Sequence, residues 1–206
     1  MNRSSRPRKT ANLSELVHRQ LNMYAIAAGA ALVVALALAQ PVEAKIVYTK
    51  AHVVIEYNNY YNLDLNRDGV ADFTISVKSS RGDPCYTSSV TEQPSSGNGV
   101  VGQPPVALNR GAEIGPGQQF YGRAGTMAFQ NYRCYQGGPW FNVDNRYLGL
   151  SFQRNGQTHY GWARLSVQFH SYYFTATLTG YAYETIPGKA IKAGPDQGPG
   201  KRVGRR

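Results

Sequence analysis

Apolar and polar side chains alternate with a period of two from about residue 46 onward, which is the signature of half-buried β-strands. "HVVIEY" places Val53, Ile55 and Tyr57 on one strand face, and "DFTISV" does the same with Phe73, Ile75 and Val77. "YLGLSFQ" sets Leu148, Leu150 and Phe152 against small and polar residues. Arg154-Asn155-Gly156-Gln157 follows, and the return run is "THYGWARLSV". Asn-Gly between two alternating runs predicts a hairpin, because a type I′ turn needs positive φ at both central residues. In "FTATLTGYAYET" the residues Phe174, Ala176 and Leu178 alternate again. The pattern predicts an all-β chain, an antiparallel sandwich or a partly closed barrel.

Two regions break the alternation. Residues 1–44 hold a basic leader (Arg3, Arg6, Arg8, Lys9, Arg19), then the apolar run "MYAIAAGAALVVALALA", then "QPVEA" with Val42 and Ala44 at the −3 and −1 positions of a cut. That order is that of a secretory signal peptide, a signal helix removed on export. An uncleaved membrane anchor is the competing reading, since the run reaches the bottom of the range that spans a bilayer. Residues 79–119 are dense in Gly, Pro, Ser and Gln, and are expected to be a long surface insert carrying short edge strands such as "PPVAL". The expected organisation is a signal peptide over 1–44, a single β domain over 45–188 and a basic flexible tail over 189–206.

Charge narrows the partners. The chain has 22 Lys and Arg against 12 Asp and Glu, a formal net charge of +10. Much of the excess lies in the leader and in the Gly- and Pro-rich C-terminal segment, and the body between them has no basic stripe. Nucleic acid is therefore excluded as the expected partner. A glycan or an anionic envelope polymer is expected instead, and a membrane only if the leader is uncleaved.

Two cysteines, Cys85 and Cys134, follow the leader. An even, small count in an exported chain suggests one disulfide, with two free thiols or a metal pair as alternatives. A bond between them would close a loop of roughly 50 residues and contribute about 4 kcal/mol in the chain-entropy model.

"DLNRDGVADF" carries the clearest candidate chemistry. Asp64, Asn66, Asp68 and Asp72 are spaced by two and four residues, Gly69 permits a sharp turn, and the Val70 carbonyl adds an oxygen. Calcium takes six to eight oxygens, and residues spaced by two in a tight loop can turn theirs to one centre. Ile75 stands where an EF-hand needs Glu, and strands flank the loop, so an EF-hand is excluded. The pattern D-x-N-x-D-G-x-x-D resembles the calcium loop of FG-GAP repeats, which implies a structural calcium ion on Asp64, Asn66, Asp68, Val70 and Asp72. The competing reading is a polar turn whose Asp and Asn side chains cap their own backbone.

No nucleophile elbow or catalytic triad spacing accompanies His52, His159 and His170. A carboxylate pair such as Glu56 with Glu184 can be drawn, with a separation the sequence does not set. The tyrosines and Trp140 and Trp162 either fill the core or stack on sugars. "RGD" at 81–83 is a tripeptide that chance supplies easily.

"RYLGLSFQRNGQTHYGWARLSV" and "ATLTGYAYETIPGKAIKAG", with "AKIVYTKAHV" leading to "LDLNRDGVADF", resemble a family of uncharacterised exported bacterial β proteins. Such proteins occur in Acidobacteria-like genomes and among those with PEP-CTERM sorting tails. The markers are Tyr147 to Phe152, Tyr160-Gly161-Trp162, Tyr181 to Glu184 and Ile191 to Gly194. The resemblance implies export and brings no activity with it; this chain lacks the PEP motif and sorting helix. The expected function is a non-enzymatic binding or structural module of the envelope or extracellular space, stabilised by calcium. The alternative is a secreted hydrolase acting on polysaccharide.

Overall fold

The computed structural model describes residues 45–194, and among these there is no helix. The predicted signal helix, its cut after Ala44 and residues 195–206 lie outside the described residues. Thirteen strands follow in order: β1 (Ile46–Ile55), β2 (Asn59–Leu63), β3 (Phe73–Ser80), β4 (Thr87–Pro94), β5 (Gly99–Val101), β6 (Glu113–Ile114), β7 (Phe120–Tyr121), β8 (Gly125–Gln130), β9 (Gln136–Gly137), β10 (Val143–Arg154), β11 (Gln157–His170), β12 (Tyr173–Glu184) and β13 (Ile191–Lys192). All pairings are antiparallel. A six-stranded sheet has the order β1-β12-β11-β10-β5-β7, a five-stranded sheet the order β2-β3-β4-β8-β9, and β13 pairs with β6 alone. The architecture is a sandwich of open sheets, not a closed barrel.

The main core lies between the two large sheets. Phe73, Ile75 and Val77 of β3 meet Leu148, Leu150 and Phe152 of β10 and Phe174, Ala176 and Leu178 of β12, all fully buried. Full burial of each large side chain contributes about 1.5–3 kcal/mol. The alternation read from the sequence thus assigns these faces correctly. Tyr57 departs from it: β1 ends at Ile55, and Tyr57 is exposed on the following turn. Asn155 and Gly156 adopt φ of 52° and 72°, the type I′ turn that joins β10 to β11 in the register Arg154↔Gln157.

The six-stranded sheet is covered over part of its second face too. Tyr147, Tyr160, Trp162 and Ala182 point away from the main core and are buried under Ile114, Ile191 and Ala193. A sheet buried on both faces needs no polar side, which is why "YLGLS" and "HYGWA" bury consecutive residues. On β12 the inward parity changes from Phe174, Ala176 and Leu178 to Tyr181 and Tyr183, because a bulge opposite Arg164 and Leu165 inserts one extra residue.

Two sequence boundaries are corrected. Residues 79–119 are not a surface insert: β4 runs through the middle of the five-stranded sheet, and β5 joins the other sheet beside β10. Ser88, Val90, Glu92 and Pro94 form the inward face of β4, so polar residues occupy positions where hydrophobic alternation would have announced a strand. "PPVAL" makes no edge strand, only a bridge from Leu108 to Tyr147. The basic tail does not begin at 189. Ile191 and Ala193 pack onto the Trp162 face, where Ile191 pairs with Ile114 and Lys192 with Glu113.

Candidate functional site

The asymmetry between the sheets defines the site. Among the described residues, the outward face of the five-stranded sheet carries no covering element like the β6–β13 pair. On β3 the inward residues are Phe73, Ile75, Val77 and Ser79, so Thr74, Ser76, Lys78 and Ser80 turn outward. Register places Tyr60 opposite Ser76, Ser89 opposite Lys78, Thr91 opposite Ser76, and Phe129 opposite Ser89. The face is therefore an array of hydroxyls and amides with two aromatic rings. Tyr60 is 62% exposed and Phe129 is 37% exposed. Thr74 donates to Asn62 Oδ1 at 2.9 Å, which ties β2 to β3 across this surface.

Two open depressions adjoin on this face. One, of about 310 Å³, is lined by Asn58, Lys78, Ser80, Thr87 and Ser89 among others. The second, of about 290 Å³, is lined by Asn58, Asn59, Tyr60, Ser76 and Lys78 among others. Asn58 and Lys78 belong to both. Asn58 adopts φ of 54°, and its Oδ1 accepts the Ser79 amide at 2.8 Å, which fixes the β1–β2 turn against the end of β3. Tyrosines continue around this end: half-buried Tyr86 lies 5.2 Å from exposed Tyr172, and exposed Tyr57 lies 6.1 Å from Tyr173, centroid to centroid. Trp140 and Trp162 take no part, being 0% and 1% exposed; both belong to cores.

The disulfide is formed at this same end. Cys85 and Cys134 are bonded, with Cα atoms 5.3 Å apart. The bond joins the β3–β4 turn to the β8–β9 turn, and the Cys85 amide donates to the Tyr132 carbonyl beside it. Such a bond is compatible with an oxidising compartment.

The acidic loop sits at the opposite end of the sandwich, between β2 and β3. Asp64 Oδ1 accepts the Arg67 and Asp68 amides at 2.6 and 3.3 Å, and Oδ2 accepts the Gly69 amide at 2.8 Å. Asp68 Oδ1 accepts the Val70 amide, and Asn66 Oδ1 accepts the Asp68 amide. Asp72 is buried, and its Oδ2 accepts the Leu65 amide at 2.8 Å. The side chains thus cap the loop's own backbone. Among the described residues no three Asp, Glu, His or Cys side chains gather closely enough to hold a metal. Asp64 Oδ1 uses both lone pairs on these amides, whereas Asp64 Oδ2, both Asp68 oxygens and Asp72 Oδ2 each accept one hydrogen bond and keep a second lone pair. Burial pushes the Asp72 carboxyl up to about 6; the Leu65 amide opposes this, and the charges of Asp64 and Asp68 add to it. The Val70 amide, then the Asn66 side chain, hold Asp68 below the usual range.

Sequence reasoning missed the anchor of this loop. Asn98, nearly buried, donates to the Asp72 carbonyl at 3.1 Å, and its Oδ1 accepts the Gln153 amide at 2.9 Å, so the loop is tied to β10. A lone Asn in "SSGNGV" offers no signal for that role.

The remaining sequence candidates separate. Glu184 pairs with Ile46 at the start of β1, whereas Glu56 follows the end of that strand, so β1 stands between them and they form no glycosidase pair. Glu184 is buried, accepts the Ile186 amide and meets Lys189 at 3.7 Å. His159 is buried against the Glu184 carbonyl, and His170 bonds Thr175. Arg81 and Asp83 are exposed on the β3–β4 turn. Comparison with protein-family models, with curated proteins and with solved structures found no match to this chain, so the exported-protein resemblance rests on the motifs quoted above.

Proposed function

We propose that this chain is an exported, non-enzymatic β-sandwich module of the envelope or extracellular space that binds polysaccharide through the outward face of its five-stranded sheet. The observation that carries the reading is the contrast between the sheets. One carries the β6–β13 cover over the Trp162 part of its outer face, while among the described residues the other leaves Tyr60, Phe129 and Lys78 exposed amid a field of part-exposed Ser and Thr side chains. Flat aromatic rings offer apolar area to the CH face of a sugar, and neighbouring hydroxyls and amides exchange hydrogen bonds with its OH groups. The leader pattern and the disulfide support export.

Affinity electrophoresis through gels containing soluble polysaccharides tests the reading. The wild type is retarded by at least one polymer, and Tyr60→Ala loses that retardation. Tyr135→Ala, on the exposed β8–β9 turn, keeps it. Equal migration of wild type and Tyr60→Ala in every gel overturns the assignment.

Calcium belongs to the same proposal as a structural ion at the far end. Asp64, Asn66, Asp68, the Val70 carbonyl and Asp72 would supply the oxygens, at weak extracellular-type affinity because no bidentate Glu is present. Three carboxylates along one nine-residue loop, one of them buried, support this reading, since a cation would relieve their mutual repulsion.

A further inference from the structure

We propose that the polysaccharide bound by the open face is anionic, a uronate-bearing polymer whose carboxylate pairs with Lys78. This rests on the glycan-binding reading and adds the charge of the ligand to it.

Among the described residues, Lys78 is the one cation at the outward positions of this sheet. The outward positions of β3 are Thr74, Ser76, Lys78 and Ser80, and those of β4 include Thr87, Ser89, Thr91 and Gln93. The acid of β4, Glu92, turns inward and is fully buried. No carboxylate on the face neutralises the ammonium, and Lys78 forms no ion pair among the described residues. Its side chain is exposed and borders both depressions.

The surroundings are those of a sugar carboxylate. Ser76 and Ser80 flank Lys78 along its strand, and Ser89 lies directly across. Tyr60 pairs with Ser76, which makes it the diagonal neighbour of Lys78, about 7–8 Å away on an antiparallel ladder. A sugar ring lying on Tyr60 therefore holds its substituents within reach of the ammonium and of the Asn58 and Asn59 amides. One ammonium without a second cation beside it suits one carboxylate per sugar; clustered phosphate or sulfate would call for the fork of an arginine or several cations. The nearest arginine in sequence, Arg81, lies beyond the end of β3 on the turn.

The test uses soluble oligogalacturonate and the same oligomer with its carboxyl groups methyl-esterified, titrated by calorimetry against the exported protein at two salt concentrations. The expected result is binding of the acid form, about tenfold or more weaker binding of the ester, and weakening of the acid form by salt. Lys78→Ala loses about tenfold for the acid form, Lys78→Arg retains most of it, and Tyr60→Ala weakens both forms. Lys78 is exposed, so circular dichroism should show both Lys78 variants folded. Equal affinity for acid and ester, or no effect of Lys78→Ala, overturns this proposal and leaves glycan binding standing. Absence of binding to either form, together with absence from every neutral polysaccharide, overturns both.

Discussion

Glu92 faces Gly125 across the β4–β8 ladder, and neither carboxylate oxygen of this fully buried acid has a hydrogen-bond partner among the described residues. A Cβ at Gly125 would stand 2.8 Å from Glu92 Oε1 and 2.6 Å from Pro105, so glycine makes the room in which the acid lies. Burial pushes the Glu92 carboxyl up to about 8; the Gly125 amide, short of hydrogen-bond geometry, offsets only part of that rise, and no charged group contributes.

The first prediction concerns pH. Between the ordinary value of 4.5 and the folded value of about 8, the folded state holds a proton that the unfolded chain has released. Stability therefore falls as pH rises through that window, by up to roughly 1.4 kcal/mol per unit, and levels off above it. Glu92→Met should raise the melting temperature and flatten its fall between pH 5 and 8, because it fills the same space without an unpaired polar group. Urea melts of both proteins at intervals across that range decide the matter; parallel curves would show that Glu92 does not set the slope.

The disulfide should matter thermodynamically. Cys85 and Cys134 are 49 residues apart in sequence, and losing the bond is expected to cost about 4 kcal/mol on the chain-entropy model. Denaturant titration of Cys85→Ser/Cys134→Ser against wild type measures it, and a difference below about 1 kcal/mol would mean that the unfolded chain gains little freedom.

Calcium at millimolar concentration should raise the wild-type melting temperature relative to chelator, by mass action on the folded state. Asp68→Ala should lose the response. An unchanged melting temperature in the wild type, or an equal rise in the variant, would leave the loop as a turn capped by its own amides.

Shortening the chain separates the two C-terminal boundaries. A protein ending at Gly194 keeps the pair of β13 with β6. One ending at Gly188 loses the cover that Ile191, 2% exposed, and Ala193 give to Trp162, at a cost of about 2–4 kcal/mol. Equal melting of the two would mean that this cover adds no stability.

Much of the sandwich was legible because apolar residues alternate where only one face is buried: β3 and the Asn155-Gly156 hairpin read directly, as did the Cys85–Cys134 bond. β4 was hidden because Ser88 and Glu92 occupy its inward face, and an acid at a core position carries no strand signal. The packing of Ile191 and Ala193 was hidden because a two-residue strand is too short for a period. The open face was implicit in "FTISVKSS": once Phe73, Ile75 and Val77 point inward, Thr74, Ser76, Lys78 and Ser80 point out. What the string did not reveal is that the partner sheet is partly covered and that, among the described residues, this one is not. That depends on where β6 and β13 settle.

The Cys85–Cys134 bond also changes what a protease can achieve. The segment it encloses contributes β4 and β8 to one sheet and β5 and β7 to the other. Arg110 and Arg123, both exposed, lie inside it. Cleavage after either produces two polypeptides that stay covalently linked, each with strands in both sheets. A single cut there nicks the module without shedding a fragment, and a second event, reduction or a cut outside the loop, is needed to take it apart.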